Sequence, residues 1–434
     1  MPNNIKYGCV LFDDITQHAT GWASVSGEDS FRISSTQNLA TDTVWLTNIT
    51  YDVAQFSGLA SHARFRKEDY LRRRLGPLRK DLGLNDSFEA CPTLSNVFER
   101  SVKLVQKLLH LKNDEIPQGL LRNGIRDKFM GHDPVHEEPI YIALRDATSP
   151  WTSCERADPP PEDFTQITFR VPPVEHSKCM LSTMAPTGSW EKVDISLKSN
   201  EDIANWLTSL PGLAVINIAA KDFNPEFNQL YNFGSNPAGP RTNRQWVTSL
   251  ELITLIDVAK IEIYGAYVNT GISPDSGWLK IFETLPSNAD LSYSLGLALE
   301  NIWTGFCSGL IPPAHKRGPE RTWINDYAPF IRAMDRMICL QKAIGLQRKG
   351  FDVVGYGVGS ILIFRHNHNS DEAIYEAAEE LNLLPPTLGL TGTEGIISKP
   401  KTALQALRAL MGIGKINDIN KADEFIFKTI LEKS

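Results

Sequence analysis

Two neighbouring aspartates occupy the position in this sequence that best suits metal chemistry. Asp13 and Asp14 directly follow the apolar run Lys6–Phe12, which predicts a β-strand. Carboxylates at a strand end can hold divalent ions, and two such ions about 4 Å apart can polarise a phosphate. A second acidic pair, Asp371 and Glu372, begins a predicted helix. The pattern allows either a metal-dependent nuclease that uses Asp14, Asp371 and Glu372, or a hairpin turn capped by Asp13 and Asp14.

The histidine and cysteine patterns argue against a bound metal. His132 and His136 stand four residues apart, but Pro134 between them disfavours a chelating helix and favours a surface turn. His366 and His368 alternate at the end of a predicted strand, which gives two ligands without a third and indicates a polar strand exit. The six cysteines include no C-x-x-C pair. The sequence therefore predicts no metal and no cofactor.

The glycine-rich segment Gly355–Gly359 has a superficial likeness to a nucleotide-binding loop. It lacks the G-x-G-x-x-G spacing, and the strand-like run Ser360–Phe364 follows it where a phosphate site needs a helix. The pattern instead predicts a strand or a hairpin whose glycines pack closely against a neighbour.

A strongly basic segment with a helical pattern spans residues 66–80. Such a face is usually solvated or forms salt bridges to another subunit, and contact with RNA is the alternative. The candidate RNA or subunit contacts are Arg66, Lys67, Arg72, Arg73, Arg74, Arg79 and Lys80.

The overall composition is that of an ordinary globular protein. Of the 434 residues, 42% are hydrophobic and 22% are charged, and the formal net charge is -7. This acidic balance argues against a protein that coats phosphate backbones, because such binding needs clustered Lys and Arg. No apolar run approaches the roughly 20 residues of a membrane span, and no signal-peptide core begins the chain. We therefore expect an intracellular protein without a membrane partner.

The periodicity predicts an α+β fold, a large mixed shell-type domain that opens with a strand meander. The predicted strands of the meander span residues 6–12, 21–26, 30–34 and 43–53. The predicted helices span residues 95–111, 327–349, 371–384, 402–411 and 421–433. The helix at 95 takes Ser95 as its N-cap, and Asn369 with Glu372 matches a capping box for the helix at 371. Residues 351–364 predict one strand. The run 248–267 suits either a helix or a strand; the spacing of its apolar residues favours a helix at first, with a strand continuing from Ile261.

Prolines mark one segment of the chain as different from the rest. They are frequent between residues 131 and 200, where they restrict the backbone to turns and short edge strands. We predict that 131–200 is a Pro-rich protruding or surface insertion. The main domain would then consist of residues 1–130 and 201–434.

The hairpin from Tyr7 to Ala23 resembles the first hairpin of the RNase H superfold, and in particular its Holliday-junction-resolvase branch. The shared pattern is a strand that ends in Asp14, a short turn, and a second strand that opens at Thr20 and Gly21. The resemblance implies that Asp14 helps to hold divalent metals. This nuclease hypothesis requires Asp14 to lie within metal-bridging distance of Asp371 or another acid.

In length and texture the chain resembles the capsid proteins of small double-stranded RNA viruses of fungi, of the partitivirus and totivirus kind. It shares with them its size, its mixed long helices and strands, the Pro-rich middle and the acidic balance. The resemblance implies a structural protein, not an enzyme, whose dimers assemble into an icosahedral shell found in the virion and the host cytoplasm. The implied partners are other copies of the chain, weakly bound packaged nucleic acid and the viral polymerase. The capsid is the first hypothesis and the nuclease is the second.

Overall fold

The computed structural model divides the chain into two compact units. Unit 1 comprises Met1–Ile125, Leu285–Ile302 and Pro385–Ser434, and unit 2 comprises Arg126–Thr284 and Trp303–Leu384. Both units mix helices with sheets, so the predicted α+β class is confirmed. The structure describes residues 5–16, 20–49, 53, 64–65, 79, 84, 86–108, 136–148, 165–196, 199–224, 226, 230, 244–273, 293–307, 326–366 and 368–384.

Unit 1 is built on a five-stranded sheet. Its strands are β1 (Lys6–Phe12), β2 (Gly21–Val25), β3 (Phe31–Ile33), β4 (Thr43–Thr47) and β5 (Arg64–Phe65). The strand order is β3-β2-β1-β4-β5. β2 pairs antiparallel with β1 and with β3, whereas β4 runs parallel to β1 and β5 runs parallel to β4. The four predicted strands are therefore confirmed, but only β1, β2 and β3 form a meander. β4 lies parallel to β1 on the other side and ends at residue 47.

The middle strand β1 is buried on both faces, and only Lys6 of its residues is exposed. One face packs on the helix α1 (Ser87–Leu108). Gly21 pairs so closely with β1 that a Cβ there would lie 2.4 Å from the Leu11 carbonyl oxygen. The opposite face of the sheet carries a core of Val10, Phe12, Ala23, Val25, Ile33, Leu39, Trp45 and Ile49.

The helix α1 begins at Ser87, earlier than the predicted start at Ser95. Pro92 within this helix has no N–H to donate to the carbonyl of Phe88. That carbonyl oxygen instead accepts a hydrogen bond from the Ser30 hydroxyl at 2.6 Å. Because a hydroxyl from outside the helix satisfies the carbonyl, the helix continues through the proline, and Ser95 is a buried interior residue rather than the N-cap.

Unit 2 contains three sheets in the part of the chain that the structure describes. Their strands are β6 (Thr165–Arg170), β7 (Ala185–Pro186), β8 (Trp190–Lys192), β9 (Ala214–Lys221), β10 (Arg244–Thr248), β11 (Lys260–Asn269), β12 (Ile272–Ser273), β13 (Asp352–Gly357) and β14 (Ser360–Arg365). The sheets have the orders β10-β9-β11-β8, β13-β14-β6 and β12-β7, and every pairing is antiparallel.

One long helix organises unit 2. The helices after α1 are α2 (Glu138–Thr148), α3 (Pro173–Leu181), α4 (Asn200–Thr208), α5 (Ser249–Leu255), α6 (Tyr293–Phe306), α7 (Ala328–Arg348) and α8 (Asp371–Glu380). α6 begins in unit 1 and ends in unit 2, whereas the others belong to unit 2. α7 packs against α2, α3, α5, β10, β13 and β14.

A buried carboxylate joins α5 to α7. Arg336 donates from Nε to Glu251 Oε1 at 2.8 Å, and both side chains are buried. Glu251 also accepts a hydrogen bond from the Thr248 backbone N–H at 3.0 Å, within the capping box of α5. The Glu251 side chain therefore both caps α5 and forms an ion pair with Arg336 on α7.

The helix followed by a strand that the spacing favours in 248–267 is confirmed as α5 and β11. Two other sequence predictions in unit 2 need correction. The single strand predicted at 351–364 is the hairpin formed by β13 and β14. The N-cap of α8 is Ser370, whose hydroxyl accepts from Ala373 N–H at 3.2 Å, rather than Asn369.

The described part of the Pro-rich segment 131–200 also differs from the predicted surface insertion. Its strand β6 pairs with β14 and its strand β8 pairs with β11. Phe169, Val174 and Leu181 are fully buried. Pro173 begins α3, a position where a missing N–H costs nothing. The segment therefore contributes to the core of unit 2.

Two further predicted helices, 402–411 and 421–433, lie outside the described residues. The helix predicted at 327–349 is confirmed as α7. Within the ranges that the structure describes, no helix combines the length and the apolar run that a bilayer crossing needs.

Candidate functional sites

The carboxyl end of β1 carries the two aspartates singled out in the sequence. Asp13 accepts hydrogen bonds from both terminal nitrogens of Arg32, on β3, and from the Thr20 hydroxyl at 2.8 Å. The hydrogen bond from Arg32 is the main reason that the pKa of Asp13 lies below its usual value. The Arg32 guanidinium also lies over the Trp22 ring, 5.3 Å from its centroid. Asp13 therefore links the end of β1 to β3 through Arg32.

Asp14 is exposed and belongs to the turn that follows β1. Its Oδ1 accepts hydrogen bonds from the Thr16 backbone N–H at 2.7 Å and from the Thr16 hydroxyl at 2.6 Å. An aspartate that bonds the backbone two residues later forms an Asx turn. This is the turn-capping role that the sequence allows for Asp14.

The end of β1 is fixed by Asn48, which directly follows β4. The Phe12 N–H donates to Asn48 Oδ1, and Asn48 Nδ2 donates to the Phe12 carbonyl, both at 2.9 Å. The side chain thus makes the pair of hydrogen bonds that a residue of an adjacent strand would make. In the sequence Asn48 stands out only by its position after a strand and by its N-x-T pattern, and neither predicts these two hydrogen bonds.

The second acidic pair, Asp371 and Glu372, lies in the first turn of α8. It belongs to unit 2, whereas Asp14 belongs to unit 1. Asp371 accepts a hydrogen bond from Arg365 at 2.6 Å, and its side chain is only 11% exposed. Glu372 is exposed. Both carboxylates suit a helix N-terminus, where negative charge is stabilising.

The basic segment 66–80 is described at one residue. Arg79 is helical, and its Nε donates to the Leu84 carbonyl at 3.3 Å. The remaining candidate contacts, Arg66, Lys67, Arg72, Arg73, Arg74 and Lys80, lie outside the described residues. Their role in RNA or subunit contact stays a prediction.

Unit 2 contains a buried group of three side chains that the sequence analysis missed. Asp335, in the middle of α7, has a carboxylate oxygen 2.9 Å from His176 Nε2 and 3.5 Å from Cys339 Sγ. All three residues are buried, and their ligand atoms lie within 4.8 Å of one another. Asp335 and Cys339 stand one helical turn apart, a spacing that is visible in the sequence. His176 comes from α3, and no sequence pattern connects it to α7.

The Asp335 carboxylate also holds the turn between β13 and β14. Val358 and Gly359 form this two-residue loop with φ angles of 51° and 65°, the combination of a type I′ turn. Their backbone N–H groups donate to the two carboxylate oxygens at 2.7 and 2.9 Å. A positive φ costs valine about 1–2 kcal/mol, which these hydrogen bonds offset. The hairpin predicted for Gly355–Gly359 is confirmed.

The charge state of this group follows from its contacts. Burial alone would raise the pKa of Asp335, but its hydrogen bond to His176, the charge of Arg332 and the Val358 N–H together hold it at about 2. Burial, with the nearby Asp335 carboxylate, raises the pKa of the Cys339 thiol well above its usual value. The group therefore contains an ionised carboxylate beside a protonated thiol.

His136 lies in surroundings that the sequence did not predict. Its side chain is 7% exposed, and its Nε2 contacts Asp326. Asp326 also accepts a hydrogen bond from Trp190 Nε1 at 2.8 Å. The predicted surface turn is wrong for His136, because its side chain is buried against Asp326. This carboxylate partner is far from His136 along the chain. His132 lies outside the described residues.

His366 and His368 lie just beyond the end of β14. Their rings stack with centroids 5.3 Å apart, and His366 Nε2 is 3.3 Å from Asp352. The two side chains share one side of the chain, as the predicted polar strand exit requires.

Comparisons with known proteins give a distant likeness in structure. No family model and no curated protein sequence matches the chain. The chain is similar to Phi29 DNA polymerase complexed with primer-template DNA in a post-translocation binary complex, with 11% identity, 82% of this chain and 80% of that chain covered, and a TM-score of 0.47. The chain is also similar to Phi29 DNA polymerase in a ternary complex with primer-template DNA and incoming nucleotide substrates. In this comparison the identity is 11%, 84% of this chain and 80% of that chain are covered, and the TM-score is 0.45. Values this low do not transfer an activity to the chain.

Proposed function

We propose that unit 1 is a nucleic-acid-processing module of the RNase H superfold, whose reaction is metal-dependent cleavage of a phosphodiester at the carboxyl end of β1. The observation that carries this proposal is the order and direction of the five strands. β1 is the middle strand, with β2 and β3 on one side and β4 and β5 on the other. Only β2 of the five strands runs antiparallel to β1, because β3 is antiparallel to β2 and β4 and β5 are parallel to β1. This is the strand arrangement of the superfold that the first hairpin resembles.

The contacts at the strand end suggest different roles for its side chains. Asp14 is exposed at the tip, so we assign it to the metal. Asp13 is neutralised by Arg32 and holds the hairpin, and Asn48 fixes the strand end through the Phe12 backbone. Both are positioning residues. The sequence hypothesis adds Asp371 and Glu372 as further ligands.

The test is a cleavage assay on branched DNA and on RNA–DNA hybrids with and without Mg²⁺. We expect Mg²⁺-dependent cleavage that Asp14→Asn lowers at least about a hundredfold, because the substitution removes a charge that holds the ion. Asp86→Asn is the matched control, since Asp86 is also an exposed aspartate in unit 1 that accepts a backbone N–H two residues later. Absence of cleavage by the wild type, or equal rates for wild type and Asp14→Asn, would contradict the proposal.

The capsid hypothesis is a second proposal, and a different observation favours it. Asp13 at the end of β1 and Asp371 in the second acidic pair are each bound to an arginine of their own unit, which suits a structural role. In this proposal dimers of the chain form an icosahedral shell around double-stranded RNA in the virion. Sedimentation with negative-stain microscopy tests it: closed isometric particles would support the capsid, and a monomer or an isolated dimer would contradict it.

A further inference from the structure

We propose that His176, Asp335 and Cys339 bind one divalent transition-metal ion of the zinc class inside unit 2. The proposal does not depend on the function proposed for unit 1. The three side chains offer an imidazole nitrogen, a carboxylate oxygen and a thiolate sulfur, which together form a donor set that zinc prefers. All three residues are buried, so the ion would be shielded by protein, and the three protein ligands leave the fourth position of a tetrahedral zinc ion open.

The distances between the donor atoms suit a single ion. The Asp335 oxygen lies 2.9 Å from His176 Nε2 and 3.5 Å from Cys339 Sγ. Donors at about 2.0–2.3 Å from a tetrahedral zinc ion are separated from one another by about 3.3–3.6 Å. The oxygen–sulfur pair already has this spacing, and the oxygen–nitrogen pair reaches it after a shift of a few tenths of an ångström.

The surroundings hold the donors in place, as the outer contacts of metal sites do. The N–H groups of Val358 and Gly359 fix both oxygens of Asp335. The Trp303 ring packs edge-on against His176, with centroids 5.4 Å apart. Gly359 has no side chain, and a Cβ there would lie 3.2 Å from His176 Nδ1. The glycine in the turn therefore leaves the space that the imidazole occupies.

Two buried polar atoms that find no partner among the described residues belong to side chains beside His176, since Ser177 follows it in α3 and Trp303 packs against its ring. Ser177 Oγ and Trp303 Nε1 have no hydrogen-bond partner in the part of the chain that the structure describes, and both residues are almost completely buried. Burying a donor without a partner is costly. A water molecule that enters with the ion as its fourth ligand would supply hydrogen-bonding capacity to this part of the interior.

Metal binding changes the protonation of the group in a defined way. Without an ion, Cys339 is a thiol and the Asp335 carboxylate is satisfied by hydrogen bonds. When the ion binds, the thiol proton leaves to solvent and sulfur becomes a ligand, while His176 binds the ion through an Nε2 lone pair, so that this nitrogen carries no proton. A group that forms only hydrogen bonds would not bind added zinc and would release no proton.

The experiment uses the full chain purified without chelators. We expect about one zinc ion per chain by elemental mass spectrometry, and a thermal midpoint that falls by about 5 °C when the ion is removed. Cobalt replacing zinc should produce a sulfur-to-cobalt charge-transfer band. Cys339→Ser should abolish the band, whereas Cys179→Ser, a cysteine on the same helix as His176, should keep it.

The outcomes separate a metal site from a hydrogen-bonded core. A wild-type chain that holds no zinc, gains no thermal stability from added zinc and shows no cobalt–sulfur band would overturn the proposal. A band that survives Cys339→Ser would also overturn it. If Cys339→Ser does not fold, the zinc content and the cobalt spectrum of the wild type decide the question. None of these readouts depends on nucleic-acid cleavage, so this proposal and the nuclease proposal can fail separately.

Discussion

Asp13 in unit 1 and Asp335 in unit 2 both hold a β-hairpin, but one does so at the surface and the other in the interior. The side chain of Asp13 is 40% exposed and bonds Arg32, which is 48% exposed. That of Asp335 is fully buried and bonds two backbone N–H groups and His176. Water can replace the partners of Asp13 at little cost, whereas solvent does not reach Asp335, whose partners must come from the interior. A surface carboxylate therefore exchanges its partners with solvent, while a buried carboxylate depends on the groups packed around it.

The largest effect is expected at the buried ion pair between Glu251 and Arg336. Glu251→Gln keeps the size of the side chain but leaves the arginine charge buried without its counter-charge. We expect the free energy of unfolding to fall by about 3–5 kcal/mol, measured by urea denaturation. Glu226→Gln is the control, because Glu226 pairs with Arg348 at the surface and its loss should leave stability unchanged within error. If the two substitutions lowered the free energy of unfolding equally, the buried ion pair would contribute no more to stability than the surface pair, contrary to this prediction.

The sequence predicted the parts of this fold that depend on local patterns. The four strands between Lys6 and Thr47 and the helix α7 follow from periodicity and turn residues, which act over a few positions, whereas the parallel pairing of β4 with β1 does not. The capping residue of α8 was misplaced by one position because Asn369 and Ser370 both suit a cap.

The buried contacts could not be predicted, because they join residues that are far apart in sequence. Glu251 meets Arg336, and His136 meets Asp326, through packing that no local pattern reports. Pro92 likewise disfavours a helix in the sequence, and only the Ser30 hydroxyl shows why the helix tolerates it. For the candidate sites, the strand-end aspartates were found from their position, whereas the group around Asp335 was missed.

A smaller loss of stability is expected when the pH is lowered and Asp335 becomes protonated. Its pKa in the folded chain is about 2, against a usual value of 3.8, so the unfolded chain takes up the proton at a higher pH than the folded one. The stabilisation is complete above about pH 5 and is lost as the pH falls towards 2, by about 2 kcal/mol. Urea denaturation between pH 6 and pH 2 with EDTA present should show a shallower pH dependence for Asp335→Asn than for the wild type. Identical slopes would mean that this carboxylate is not held as described.

The smallest effect is expected at the surface hairpin. Asp13→Asn weakens the hydrogen bonds from Arg32 but leaves both groups in water. We expect a loss of at most about 0.5 kcal/mol, and less at high salt, because solvent and ions screen the pair. Thermal unfolding at low and at high ionic strength measures it. A loss above 2 kcal/mol would show that this hairpin, like the buried one, depends on its carboxylate.

The side chain of Asn48 has a consequence for covalent modification. Asn48, Ile49 and Thr50 form the N-x-T sequence that oligosaccharyltransferases recognise. A glycan would be attached to Nδ2, the atom that donates to the Phe12 carbonyl. Glycosylation before folding would thus place a bulky sugar between the ends of β1 and β4, and the folded chain hides the acceptor nitrogen. A sugar at this position and a closed sheet in unit 1 exclude each other.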